Sequence, residues 1–114
     1  MRINNKMPFI PMYTTDMLIM MNGMCAATRG IFNTLIYYTW SRKCEWISIE
    51  EAREITAGFG TTPKQFERAI KEMNRYVANG VFKFTALEEI WNEKVNISIK
   101  NSQAAKKRWD NVKN

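Results

Sequence analysis

Apolar residues recur along the chain with spacings that predict its secondary structure. Over residues 26–42 they follow three- and four-residue steps through Ile31, Leu35 and Tyr38, which is typical of an amphipathic helix. This segment is also rich in aromatic residues. We therefore predict that 26–42 forms the central core helix of the protein.

The N-terminal part of the chain has a different pattern. Residues 1–15 contain two prolines and little periodicity, so they are predicted to form an extended arm. Thr15 and Asp16 are both suitable N-cap residues, and either could start a short helix. That helix is predicted to end at the Asn22-Gly23 pair, since glycine commonly follows the last helical turn.

Two segments, 48–51 and 62–65, carry the capping-box pattern in which Ser or Thr is followed three residues later by Glu or Gln. The first predicts a helix that ends near Ala57. The second has proline at the first helical position and predicts a helix over 63–78. Only residues 58–61 separate the two, so the pair has the outline of a helix-turn-helix.

Beyond the second of these helices, β-forming residues become frequent. Residues 81–84 are predicted to form a strand that pairs with 90–95 across a loop at 85–89. A basic C-terminal helix is predicted over 96–114. The resulting fold class is mainly α with a small β-hairpin, and its element order predicts a winged helix-turn-helix that spans 1–114 as a single domain.

Composition narrows the functions open to this chain. It contains no histidine, which excludes Ser-His-Asp and Cys-His catalysis and the usual zinc enzymes. Its two cysteines, Cys25 and Cys44, do not suffice for a structural zinc site and are expected to be reduced thiols. We expect no catalytic residues, no metal, no cofactor and no enzymatic activity. No run approaches the ~20 apolar residues of a membrane span, and a cytoplasmic location is expected.

The charge pattern predicts a polyanionic partner. The net charge is +6, from 17 basic and 11 acidic side chains. On a helix over 63–78, four cations fall on the side opposite the apolar residues: Lys64, Arg68, Lys71 and Arg75. An ordinary solvated face usually mixes charges of both signs, because opposite charges four residues apart stabilise a helix. In a helix-turn-helix the second helix enters the major groove, so these cations are predicted to contact DNA. The alternative is plain solvation.

Further cations lie outside that helix. Lys83 and Lys94 fall on the predicted wing, where contacts with phosphates or the minor groove are expected. The tail cluster Lys106-Lys107-Arg108 is a less specific indication, because cations are generally favoured near helix C-termini. All of these residues are candidate DNA contacts.

Several short sequence motifs resemble a known family. Met7-Pro8-Phe9, Gly30-Ile31-Phe32 and the closing stretch 104–109 resemble the YdaU-like prophage proteins, which share a domain of unknown function. The resemblance spans nearly the whole chain. It implies a phage or prophage protein that acts in replication initiation or primosome assembly, in a bacterial host cell. It implies no catalytic residues.

The sequence thus predicts a protein that binds double-stranded DNA and acts in replication or its control. A protein-interaction adapter, such as a phage-encoded inhibitor of a host protein, is the alternative. The sequence leaves three candidate protein partners: a replication protein, a host protein or a second copy of the chain. Trp109 is predicted to be buried, because it is the largest apolar residue of an otherwise polar terminal segment.

Overall fold

A computed structural model describes the backbone of residues 10–113 and the side chains of residues 10–109. Within these limits the protein is mainly helical, with a small three-stranded antiparallel sheet. In chain order the elements are α1 (Thr14–Met20), α2 (Ala26–Ser41), β1 (Ile47–Ser48), α3 (Ile49–Ala57), α4 (Pro63–Glu72), a 3-10 turn (Asn74–Tyr76), β2 (Val77–Ala78), β3 (Val81–Phe82) and α5 (Thr85–Lys113).

The predicted core helix is confirmed as α2. Its buried apolar residues follow the expected helical spacing: Ile31, Phe32, Leu35, Ile36 and Trp40. α2 packs against both α3 and α4. The short predicted helix is also present, as α1, although it begins at Thr14. Most of the predicted N-terminal arm, residues 1–9, lies outside the described residues.

The two predicted N-caps hold α3 and α4. The Ser48 hydroxyl accepts a hydrogen bond from the Glu51 amide at 3.1 Å. At the start of α4 the box is complete, since the Gln65 amide donates to the Thr62 hydroxyl at 3.2 Å and the Thr62 amide donates to Gln65 Oε1 at 2.9 Å. The turn between the helices contains Gly60 at φ 91°, a conformation that glycine adopts without strain.

The prediction that the second helix extends to residue 78 is wrong. α4 ends at Glu72, and the chain continues through the 3-10 turn into β2. Asn79 and Gly80 have φ angles of 52° and 76°. A two-residue turn with both angles positive matches the twist of a β-hairpin, and Asn-Gly is its strongest sequence signal. Residues 77–82 therefore form a hairpin where the sequence pattern predicts a helix end.

The predicted pairing of 81–84 with 90–95 is also wrong. β3 pairs with β2 on one side and with β1 on the other, so the sheet order is β1-β3-β2. Residues 85–95 belong to α5, which is 29 residues long. Thr85 and Glu88 have the same spacing as the two capping boxes that were recognised, so a helix signal was present at this site.

The described chain divides into two compact units, one ending at Phe84 and the other consisting of α5. In the first unit, aromatic rings fill the space between α2 and the sheet. The ring centroids of Phe32 and Phe84 lie 5.7 Å apart, and those of Tyr76 and Phe84 lie 5.5 Å apart. Contacts of this kind add to the stability gained from area burial alone.

Candidate nucleic-acid interface

The exposed face of α4 brings three of the predicted cations together. Lys64, Arg68 and Lys71 are all exposed. At about 100° per residue, these three positions fall within an arc of roughly 60°. Buried Phe66 and Ala69 lie on the opposite side of the helix. We refer to Lys64, Arg68 and Lys71 as the α4 basic face.

The buried side of α4 fixes the direction of this face. Phe66 is only 2% exposed, and α4 makes its main contacts with α2. The guanidinium carbon of Arg53, on α3, lies 5.3 Å from the centroid of the Phe66 ring. The sequence does not indicate this role of Arg53, because no local pattern shows that a cation on one helix covers an aromatic ring on the next.

Glu72 joins the end of α4 to the start of α2. Its Oε1 accepts the backbone N–H of Cys25 at 2.7 Å, and its Oε2 accepts Nε–H of Arg68 at 2.8 Å. Chiefly the Cys25 N–H, and then the Arg68 guanidinium, lower the pKa of the Glu72 carboxyl to about 2. The carboxylate is therefore ionised at neutral pH and held at both oxygens.

Arg75 does not belong to the α4 basic face. It lies beyond the end of α4, in the 3-10 turn, and Nη2 donates to the carbonyl oxygens of Met20 and Asn22. The Tyr76 hydroxyl donates to the same Met20 carbonyl at 2.9 Å. A cation at the C-terminus of a helix is favoured electrostatically, so Arg75 helps to hold the end of α1.

Lys83 lies directly after β3, away from the tip of the hairpin. Its Nζ is 4.6 Å from the centroid of the Trp46 ring, and its backbone N–H donates to the Tyr76 carbonyl at 2.7 Å. Asn79 and Gly80 form the tip, so the hairpin presents no charge there. Local sequence patterns do not indicate Trp46, because its partner Lys83 lies more than thirty residues later in the chain.

The remaining predicted cations are in α5. Lys94 lies on this helix and not on a wing strand. Lys106, Lys107 and Arg108, here called the α5 basic cluster, are all exposed. The prediction that Trp109 is buried is wrong, since this side chain is 61% exposed. Every described side chain from residue 99 to 109 is exposed, so the terminal part of α5 has no buried face there.

A shallow cavity of about 280 Å³ lies between α2 and the turn that precedes α4. Its lining includes Gly30, Thr34, Phe59 and Gln65, and none of its lining residues is charged. Among the described residues, no group of three or more Cys, Asp or Glu side chains could hold a metal ion. Cys25 and Cys44 are not joined by a disulfide.

No protein-family model, curated protein or solved structure matches this chain. Among the helices of residues 10–113, none has the length and apolar character needed to cross a membrane.

Proposed function

We propose that the first unit is a winged helix-turn-helix that binds double-stranded DNA through α4. The order helix, strand, helix, helix, hairpin from α2 to β3 supports this fold, as does the β1-β3-β2 order of the sheet. In such an arrangement α4 is the recognition helix, and the β2–β3 hairpin is a very short wing.

The observation that carries the proposal is the α4 basic face. Like charges three or four residues apart destabilise a helix by roughly 0.2–0.5 kcal/mol per pair. The Arg68–Glu72 ion pair offsets this cost at Arg68, whereas Lys64 and Lys71 form no ion pair with the described residues. A polyanion on that face removes the repulsion. Because Phe66 and Ala69 are buried on the other side, the cations are directed outward from a helix whose orientation is fixed.

The α5 basic cluster gives a second set of phosphate contacts in this proposal. It lies on a stretch of helix with exposed side chains on all sides, so we assign it a sequence-independent role. The more specific role, in phage or prophage replication initiation or its control in the cytoplasm of a bacterial host, depends on the resemblance to YdaU-like proteins.

One observation favours the alternative of a protein-interaction adapter. The side chains of Tyr13, Leu18 and Ile19, at the start of the described chain and on α1, are large, apolar and exposed. Exposed apolar groups of this kind can mark a surface that binds another protein. An adapter that uses α1 would not require the α4 basic face.

Fluorescence anisotropy with duplex DNA over a series of salt concentrations tests the proposal. Each phosphate contact contributes close to one unit to the slope of log affinity against log salt. We expect the double variant Lys64→Ala/Lys71→Ala to lower that slope by up to about two units, with the fold retained. No duplex binding by the wild-type chain, or an unchanged slope in the folded variant, would contradict the proposal.

Lys71→Gln and Lys43→Gln form a matched pair for this experiment, since each removes one lysine charge. Cys25, at the start of α2, is bonded to Glu72 of α4, whereas Lys43 follows the other end of α2. A helix of this length spans about 24 Å, which separates Lys43 from the end of α4. Lys71→Gln should reduce the slope, and Lys43→Gln should leave it unchanged.

A further inference from the structure

Arg68 differs from the two lysines of the α4 basic face in how it is held. Its side chain is 66% exposed, yet Nε–H is bonded to Oε2 of Glu72 at 2.8 Å. The Glu72 side chain is only 17% exposed and is itself fixed by the backbone N–H of Cys25. The guanidinium is therefore oriented from behind by a carboxylate that is anchored to another helix.

This anchoring determines which part of Arg68 can reach a ligand. A guanidinium has five N–H donors, one on Nε and four on the two terminal nitrogens. With Nε engaged by Glu72, the two terminal nitrogens form a planar fork that can bond a pair of acceptors. Guanine presents such a pair, O6 and N7, on its major-groove edge.

The same contact makes Arg68 a poor choice for a phosphate. The ionised Glu72 carboxylate offsets the positive charge of Arg68 and repels an approaching anion. Guanine O6 and N7 are neutral acceptors, so the nearby carboxylate opposes them far less. Lys64 and Lys71 are compact charges that suit phosphates, and they flank Arg68 on the same face.

Building on the proposed DNA-binding function, we propose that Arg68 recognises a guanine base through its two terminal nitrogens and that Glu72 is the residue that positions it. The chain then binds duplexes with a guanine preference at one position of the site. Lys64 and Lys71 add affinity without selecting a base. Glu72 acts through Arg68 and makes no contact with DNA.

Selection from a randomised duplex library, followed by anisotropy on single-base variants of the selected site, tests this inference with the full chain. A bidentate Arg–guanine contact discriminates by about 1–3 kcal/mol, which is about 5- to 140-fold in affinity. We expect the wild type to show a preference of that size at one guanine. Arg68→Lys keeps the charge but lacks the fork, so it should lose the preference and keep the salt slope.

Two further variants separate orientation from charge. Glu72→Gln retains the arginine at position 68 but removes the carboxylate that orients it, so this variant should weaken the guanine preference. Circular dichroism verifies that the variant is folded. Lys64→Ala, on the same face, should lower affinity for all sequences by the same factor and retain the preference. Arg68→Ala should abolish the preference, leaving weaker binding.

The possible failures are distinguishable. Salt-dependent binding without any base preference would overturn the guanine assignment and leave the proposed DNA-binding function standing. Equal weakening of all duplexes by Arg68→Ala would assign Arg68 to a phosphate and also overturn it. A guanine preference that survives Arg68→Lys would do the same. A complete lack of duplex binding would overturn both proposals.

Discussion

The helices α4 and α5 both carry exposed cations, but they differ in what lies behind those cations. α4 buries Phe66 and Ala69, is capped by a complete box at Thr62, and is tied to α2 through Glu72. Among the described side chains of α5, only Leu87 is buried, and it lies near the start of that helix.

This difference shows that the cations of a helix point in one direction only where the opposite face of that helix is buried. On α4 the buried residues set the rotation of the helix, so its three cations point in one direction. The α5 basic cluster lies among exposed residues on every side, where its charge attracts polyanions without orienting them. For the proposed binding of DNA, we therefore expect base selectivity to come from α4 and general electrostatic attraction to come from both helices.

The largest effect we expect comes from removing the buried anchor of α4. Phe66→Ala should destabilise the protein by about 3–5 kcal/mol, because it leaves a cavity in the core and removes the ring beneath Arg53. Chemical denaturation with circular dichroism measures this loss.

Phe59 provides a matched control for that variant, since it is the same residue type but is 69% exposed. Phe59→Ala should cost about 0.5–1.5 kcal/mol, the loss expected from its edge contact with the Tyr38 ring. Equal losses in the two variants would show that burial does not fix α4 as described.

An intermediate effect is expected from acidification, through Glu72. Its pKa is about 2 in the folded protein, below its ordinary value of 4.5, so the folded state favours the ionised form. The stability that this carboxylate contributes is complete above pH 4.5 and is lost as the pH falls through about 2. The difference in melting temperature between the wild type and Glu72→Gln should therefore shrink across that interval.

Thermal melts at pH 7, 4 and 2 provide the comparison. Glu67→Gln removes an exposed carboxylate from the same helix and should show no comparable convergence with the wild type. A difference between wild type and Glu72→Gln that stays constant down to pH 2 would contradict the anchoring role of the ionised carboxylate.

The smallest effect is expected on α5. Trp109→Ala should change the free energy of unfolding by less than about 0.5 kcal/mol, since the side chain is 61% exposed. Denaturant melts at two protein concentrations measure it. A loss of several kcal/mol would show that Trp109 is buried in solution, and a concentration-dependent loss would place that burial between two copies of the chain.

Local sequence signals located most of the helices. The apolar spacing of residues 26–42 predicted the position of α2 and most of its buried face, although Tyr38 is exposed. The capping boxes marked the starts of α3 and α4. These signals are reliable because the interactions behind them join residues three or four positions apart. The three cations of the α4 basic face were predicted for the same reason.

Other local signals were ambiguous. The pair Asn79-Gly80 can end a helix or turn a hairpin, because both require a positive φ. As a helix end, this pair predicts that the hairpin starts later in the chain than it does. The strands on either side of this pair are two residues long, too short for any alternating pattern to identify them.

The sequence by itself determined where α2, α3 and α4 begin and which face of α4 carries positive charge. The tertiary structure decided where α4 ends, which strands pair and how Arg68 and Arg75 are used. Glu72 meets Cys25 across 47 positions of sequence, and Arg75 meets Met20 across 55. Contacts over such separations are set by how the helices pack and not by any local pattern. For this reason Arg68 is directed to solvent by a carboxylate, while Arg75, predicted on the same helix face, holds the end of α1.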